Sequence, residues 1–384
     1  MSEEKRSRLR KEPRDFTGGG ILGLPRRFGT TGDKEIDQRI TNLVEDWGCG
    51  NSAPLIHELI STALLMGRDA LTDGDLKLYN RALKEMRRSS LVFGPYEAER
   101  KITIFGSSRT KPDEKEYLAA ETFAQKMWEA GFMSITGAGP GIMEAAQSGS
   151  GREGSFGLNI KLPFEQSANS TIDGDSKLIE YNYFFTRKLA FVKESDAVAA
   201  FPGGFGTMDE VFETLTLMQT GKASVFPIVL IDAPGGTYWK TWLRFLKDHL
   251  LRLGLISAED FFLFKVTDNL DQAVDEILAF YRVFHSYRYV KEKMVMRLLK
   301  PLSASLMEQL NSDFCDLIQK DCQIEAGSAL REESNEPHLA ELPRLIFTPK
   351  RGKVGRLRQM IDLVNSEETR GENLLEQGHA RPGI

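Results

Sequence analysis

The segment that most constrains this chain is a short apolar run that enters a glycine-rich turn and leaves it as a helix. Residues 196–200 (DAVAA) are mostly apolar and lack Gly and Pro, as a buried strand requires. Residues 201–210 (FPGGFGTMDE) follow, and Met208, Phe212, Leu215 and Gln219 then recur at helical spacing until Gly221 supplies a stop. Gly203, Gly204 and Gly206 at such a strand-to-helix junction let backbone N–H groups approach a ligand closely, and the helix start favours an anion. Thr207 and Glu210 also spell a capping box, T-x-x-E, in which the glutamate reaches back to the N-cap amide. Spacing alone leaves Glu210 open between that structural role and a chemical one.

The same pattern extends over roughly residues 98–283. Strands are predicted at 101–106, 132–136, 154–162, 197–201, 227–232 and 261–266. Helices are predicted at 114–130, 142–146, 181–194 and 270–280, with another carrying Trp239, Trp242, Phe245, Leu246 and Leu250. Leu118, Phe123, Met127 and Ala130 are assigned to the core face of the first helix. Strands alternating with helices imply a Rossmann-like, doubly wound parallel α/β sheet, in which ligands bind at the carboxyl ends of the strands. Three of those ends carry small polar or glycine-rich turns: Gly106-Ser107-Ser108-Arg109, residues 137–141 (GAGPG) and residues 203–207. The GxGxxG dinucleotide fingerprint is not met, because the first turn lacks it and Ile142 stands where the second would need its third glycine. Three such turns, one with two serines and an arginine, favour a phosphorylated ligand without a dinucleotide.

The flanks differ. A flexible lead and a helical segment account for residues 1–97; Ile36, Ile40, Leu43, Val44 and Trp47 share one helical face, and Leu55, Leu59, Thr62 and Met66 share another. His57 sits among apolar neighbours and reads as structural. Residues 284–365 read as a small α+β domain. It has alternation over 289–299, a helix over 303–318, a short strand at 323–326, an acidic proline-flanked linker at 332–343, then a strand at 344–348 and a helix at 354–364. The basic run of residues 350–353 with Arg356 and Arg358 reads as a solvated face. Cys315 and Cys322 read as core residues, and 366–384 as a disordered tail.

Composition excludes several classes. A length of 384 residues exceeds one typical core, and a net charge of −5 gives no electrostatic argument for nucleic-acid or membrane binding. Three cysteines without a CxxC imply neither a disulfide framework nor a zinc site. No run approaches the roughly 18 apolar residues that span a bilayer. The charged N-terminus has no apolar secretory region, so a cytoplasmic protein is expected.

At the three turns the chain resembles the LOG family, the cytokinin riboside 5′-monophosphate phosphoribohydrolases, whose members are often labelled lysine decarboxylases. The resemblance rests on residues 202–210 (PGGFGTMDE), which fit the family's PGGxGTxxE, and on Arg187-Lys188 upstream. It rests also on the GSSR turn at 106–109 and on residues 137–146 (GAGPGIMEAA). It covers roughly residues 98–283, and the flanking parts look like those of the longer bacterial members.

The resemblance implies hydrolysis of the N-glycosidic bond of a nucleoside 5′-monophosphate to free base and ribose 5-phosphate, with no metal or redox cofactor. It makes Glu210 and Arg187 the catalytic pair. A carboxylate beside the ribose suits an oxocarbenium-like sugar and a water nucleophile, and an arginine suits charge developing on the departing base. Without the resemblance Arg187 reads as a surface residue, off a core stripe of Phe185, Leu189 and Val192. Ser107, Ser108, Arg109, Gly139, Gly141, Met143, Lys188, Gly203, Gly204, Gly206 and Thr207 are the expected substrate-binding residues. Met143 and Glu144 form a base-pocket wall, and plant-type members have glycine where Glu144 stands. Asp209 and Glu210, placed in the first helical turn, would repel a phosphate on the helix axis. The phosphate is therefore expected against the 203–207 backbone and the 139–141 turn, with Glu210 turned to the ribose. Family membership also implies a homodimer or larger assembly. The alternative is a nucleotide-binding or carrier protein that uses the same fold without hydrolysis.

Overall fold

The computed structural model describes residues 29–162, 168–320, 322–334, 336–350 and 352–367. The expected lead up to residue 28 and the tail from residue 368 lie outside these. The chain divides into two compact units, one of residues 20–87 and one that includes everything from Arg88 on.

The smaller unit holds α1 (Lys34–Asp46), α2 (Ala53–Arg68) and most of α3 (Asp73–Phe93). Asp33 caps α1 by accepting from the amides of Glu35 and Ile36, and Gly48 takes a left-handed φ of 76° at the break before α2. Its buried face is narrower than the periodicity predicts. Ile40 and Val44 are buried, but Trp47 is 83% exposed, and Leu43, Leu55 and Leu59 are exposed as well. His57 lies within hydrogen-bond distance of the Asp37 carbonyl at 3.1 Å and of Ser61 Oγ at 3.4 Å, a structural role.

The larger unit opens with β1 (Arg100–Phe105), α4 (Lys115–Glu129), β2 (Phe132–Thr136), α5 (Ile142–Ser150), β3 (Ser155–Ile160) and β4 (Leu178–Tyr181). It continues with α6 (Phe184–Glu194), β5 (Ala197–Ala200), α7 (Phe205–Gln219), β6 (Ile228–Ile231), α8 (Tyr238–Phe245), β7 (Lys265–Thr267) and α9 (Leu270–Phe280). The seven strands form one parallel sheet in the order β4-β3-β2-β1-β5-β6-β7. The order reverses between β1 and β5, the switch point where a doubly wound sheet opens a crevice at its carboxyl edge.

Both faces of the sheet are covered, and the strand pleat divides their residues. Ile102, Ile104, Ala197, Ala199, Val229 and Ile231 pack against α4, α5 and α9, while Val198, Ala200, Ile228 and Leu230 join the core on the other side. Period-two side-chain direction with apolar residues on both faces explains why these strands read as continuous apolar runs.

Several elements differ from expectation. The sheet has seven strands rather than six, because β4 forms in a stretch that no expected element covers, reaching the helix expected at 181–194 only at Tyr181. The sixth expected strand, 261–266, is instead a 3₁₀ turn (Ala258–Leu263) followed by the short β7. Leu118 is exposed, and the buried face of α4 is Tyr117, Ala120, Phe123, Ala124 and Met127.

Beyond α9 lie β8 (Phe284–Val290), β9 (Lys293–Leu298), α10 (Ala304–Asp313), β10 (Glu325–Gly327), β11 (Arg344–Phe347) and α11 (Val354–Asn365). The single alternating run expected over 289–299 is a hairpin that turns through Lys291 at φ 57°. The four strands form an antiparallel sheet, β10-β11-β9-β8. The acidic 332–343 stretch is not a linker. Glu333 and Glu336 are buried, and Arg297, fully buried on β9, donates to Glu333 Oε1 at 2.7 and 2.9 Å and to Glu336 Oε2 at 2.6 Å. Three of these basic residues form ion pairs: Lys353 and Arg356 hold Asp316 at 3.0 and 2.9 Å, and Arg358 holds Glu276 at 2.5 Å. Cys315 and Cys322 are exposed rather than core. No helix among the described residues is long and apolar enough to cross a membrane.

Candidate functional site

The three strand-end turns meet at the β1–β5 switch point and are joined through one residue. Ser107, just past β1, donates its amide to the Pro202 carbonyl at 3.1 Å, and its own carbonyl accepts from the Ile142 amide at 3.0 Å. The first turn thus ties the second, at the start of α5, to the third, at the start of α7. Two glycines are required by this closeness. A Cβ on Gly141, already at φ 70°, would lie 2.4 Å from the Ser107 carbonyl oxygen, and one on Gly203 would lie 2.1 Å from Thr207 Oγ1 and 3.0 Å from the Ser107 amide.

Helix α7 begins at Phe205 with Gly204 as its N-cap, and no side chain caps it. The capping box therefore does not form: Thr207 and Glu210 are both interior helical residues, with Thr207 in the first turn and Glu210 in the second. The buried stripe is Thr207, Val211, Thr214 and Met218, with Glu210 beside it, rather than the Met208, Phe212, Leu215 and Gln219 face. The first N–H groups of any helix lack intrahelical partners. In α7 no side chain caps these groups, which leaves the helix start able to donate to an anion. Gly221, at φ 71°, ends the helix as expected, its amide bonding the Met218 carbonyl.

Glu210 is 6% exposed, and its Oε2 is buried with no hydrogen-bond partner among the described residues. Burial pushes its pKa from 4.5 up to about 7, against the opposing fields of Lys188 and Arg187. A buried carboxyl with an oxygen unbonded costs stability and, with its pKa near 7, is poised to exchange a proton near neutrality.

Arg187 projects from α6. One of its terminal nitrogens lies 3.8 Å from where a Cβ of Gly137 would stand, and its guanidinium lies 5.1 Å from the centre of the Phe184 ring and 5.6 Å from that of Phe191. Of the stripe expected beneath it only Val192 is buried; Phe185 and Leu189 are exposed, and Thr186, Ala190 and Phe191 complete the buried face. Lys188 is held by Asp209 at 2.7 Å and Glu213 at 2.9 Å. It braces α6 against α7 and acts on Glu210 through its field. Met143 packs over the second turn, filling the space that a Cβ on Gly137 or Gly139 would occupy.

Ser107 Oγ accepts from the Arg109 amide at 3.1 Å, and Ser108 and Arg109 are exposed at the rim. Gly204 and Gly206 are exposed at the head of α7, and Gly139 is half-buried. Two supports escape a sequence reading. Asn169 donates through Nδ2 to the Gly139 carbonyl at 3.0 Å and to Gln147 Oε1 at 2.6 Å, and the Tyr238 hydroxyl donates to the Gly203 carbonyl at 2.6 Å. Neither lies in a recognisable motif, and only the fold brings them to the turns.

Residues 142–277 match a family described as "Possible lysine decarboxylase", a stretch that runs from the first residue of α5 into α9 and contains both Arg187 and Glu210. The chain is 28% identical over 163 residues to a probable cytokinin riboside 5′-monophosphate phosphoribohydrolase of Oryza sativa subsp. japonica. It is 38% identical over 71 residues to a cytokinin riboside 5′-monophosphate phosphoribohydrolase of Arabidopsis thaliana. The α/β core is thus similar to the LOG family. The matches cover 41% and 18% of this chain, and the chain spans 63% and 32% of the length of these relatives. The turns after β1 and β2 precede the family match, so two of the three turns lie outside it. Solved structures similar to this chain include the molybdenum cofactor binding protein of Rippkaea orientalis and the molybdenum cofactor carrier protein of Chlamydomonas reinhardtii. Both are 19% identical with a TM-score of 0.34, and they cover 47% of this chain and 96% and 99% of their own. Nothing about function follows from that similarity.

Proposed function

We propose that this protein hydrolyses the N-glycosidic bond of a nucleoside 5′-monophosphate, AMP or a cytokinin riboside monophosphate, to free base and ribose 5-phosphate. The observation that carries the reading is Glu210, a carboxylate buried beside a glycine turn with one oxygen unpartnered among the described residues. A purely structural glutamate so placed would cost stability without return.

In the reaction water attacks C1′ as the bond to the base nitrogen breaks, with the bonding pair leaving on the base. Ionised Glu210 faces the positive charge that develops on the sugar and takes the proton from the attacking water. Arg187 opposes the charge that develops on the base. The amides at the head of α7 and in the 139–141 turn hold the phosphate, and the bridge through Ser107 keeps these two donor sets at a fixed separation. Asp209, in the second turn and paired with Lys188, does not oppose a phosphate at the helix start. A carrier that binds nucleotide without hydrolysis would use the same amides but has no use for Glu210.

The protein also assembles with itself in this reading. Phe205 is 96% exposed, and Phe184, Phe185 and Leu189 are exposed on α6, more apolar surface than a lone soluble helix pair needs.

The deciding experiment is chromatography of AMP and adenosine after incubation with the protein. Free adenine from AMP, with adenosine cleaved far more slowly, supports the reading. Comparable kcat/KM for the two removes the phosphate site, and no adenine from any nucleoside monophosphate removes the reaction.

A further inference from the structure

We infer that Tyr238, at the start of α8, is a positioning residue that aims the Gly204 amide of the motif turn at the substrate's phosphate; this rests on the nucleotide reading above. In a trans peptide the C=O and the N–H of the next residue point in opposite directions from one plane. The Gly203 carbonyl is drawn toward α8 by the Tyr238 hydroxyl at 2.6 Å. The Gly204 N–H, in the same plane, is therefore turned the opposite way. Gly204 is the N-cap of α7 and no side chain caps that helix, so this N–H is the outermost of the donors at its head. On its other side the turn is wedged against Thr207 and the Ser107 amide, the neighbours that a Cβ on Gly203 would strike.

Tyr238 is itself anchored from the sheet. Asp232, buried directly after β6, accepts from the Trp239 amide at 3.1 and 3.3 Å through its two oxygens, while its own amide donates to the Thr267 carbonyl at 2.9 Å. The ring of Tyr238 stands edge-on to the fully buried Trp239, with centroids 4.9 Å apart. Burial raises the phenol's pKa above its usual value, so the hydroxyl remains a donor throughout the physiological range. The motif turn is thus held from the β6–β7 edge by residues that no glycine pattern reveals.

The test is Tyr238→Phe, which removes one oxygen and leaves the ring packing. Affinity is measured by calorimetry with AMP and with ribose 5-phosphate, and activity by release of adenine. Both affinities fall about tenfold, as expected when one donor to a charged group is misaimed. The turnover of bound AMP changes less than about twofold, and the pH at which activity falls is unmoved. A role confined to stability would lower the melting temperature and leave both affinities within about twofold, which overturns the inference. So does a loss confined to kcat. If the wild-type protein binds AMP and ribose 5-phosphate but releases no adenine, the hydrolytic reading fails and the ratio of affinities still decides Tyr238. If it binds neither, the phosphate site and this inference fall together.

Discussion

Replacing Glu210 with glutamine separates its chemical role from its structural cost in one variant. The substitution keeps the side chain's size and removes the charge. Burial raises the carboxyl's pKa from 4.5 to about 7, and each tenfold gain in proton affinity corresponds to about 1.4 kcal/mol. The sign follows from linkage: a carboxyl that holds its proton more tightly in the folded state stabilises that state fully below its unfolded pKa. It loses the contribution as pH rises toward the folded value. Ionising Glu210 therefore costs the fold about 3 kcal/mol above neutrality, and glutamine does not incur that cost. Glu210→Gln should match the wild type in stability near pH 4.5 and exceed it by up to about 3 kcal/mol at pH 8. Its activity should fall by at least about a hundredfold. Denaturant titrations at pH 5 and pH 8, with adenine release from AMP at pH 8, make the measurement. A folded variant that retains more than about half of the wild-type kcat, or a stability difference that does not change with pH, refutes the reasoning.

Arg187→Ala should reduce adenine release from AMP about as strongly as Glu210→Gln, and the double variant should be far less than multiplicative, because the two act on one transition state; multiplicative losses would separate them. In wild-type protein kcat/KM should fall as pH drops below about 7, the pKa of Glu210, since the ionised form receives the proton; a profile flat from pH 5 to 8 would assign the proton transfer elsewhere. Light scattering should give a mass at least twice the 43.2 kDa of the chain, and a clean monomer would leave the exposed aromatic residues of α6 and α7 without that explanation.

Much of the α/β core is legible in the sequence because a strand buried on both faces is a short apolar run and the turns after it need glycine. The elements that escape are those whose patterns are ambiguous or whose reasons are distant. β4 is four residues long and carries the exposed Glu180 at an edge of the sheet, so its two buried positions, Ile179 and Tyr181, are too few to stand out as a strand. T-x-x-E at 207–210 spells a cap, yet the helix begins two residues before the threonine, and composition does not show where a PGG turn ends. The acidic stretch near residue 333 looks solvated because its buried partner, Arg297, lies more than thirty residues upstream. Within the site the glycines stand out by type and spacing, whereas Arg187 and Glu210 are singled out only by the resemblance to the LOG family. The burial of Glu210, the engagement of Lys188 with two carboxylates and the support from Tyr238 and Asn169 belong to packing alone.

Ser107 links the turn after β2 to the turn after β5 through its two backbone groups, and this sets an order of assembly. The strand that completes the crevice follows β1 by about ninety residues of chain, a non-local pairing that forms late because long loops must close first. During synthesis the first turn emerges with its carbonyl ready for Ile142 but with its amide unanswered until Pro202 has left the ribosome. A nascent chain that ends before α7 therefore lacks both the Ser107–Pro202 bond and the Glu210 helix, so on the proposed reading a nucleotide stabilises only the finished sheet. Ligand added during refolding should consequently leave the early phases unchanged and slow only the unfolding of the completed core.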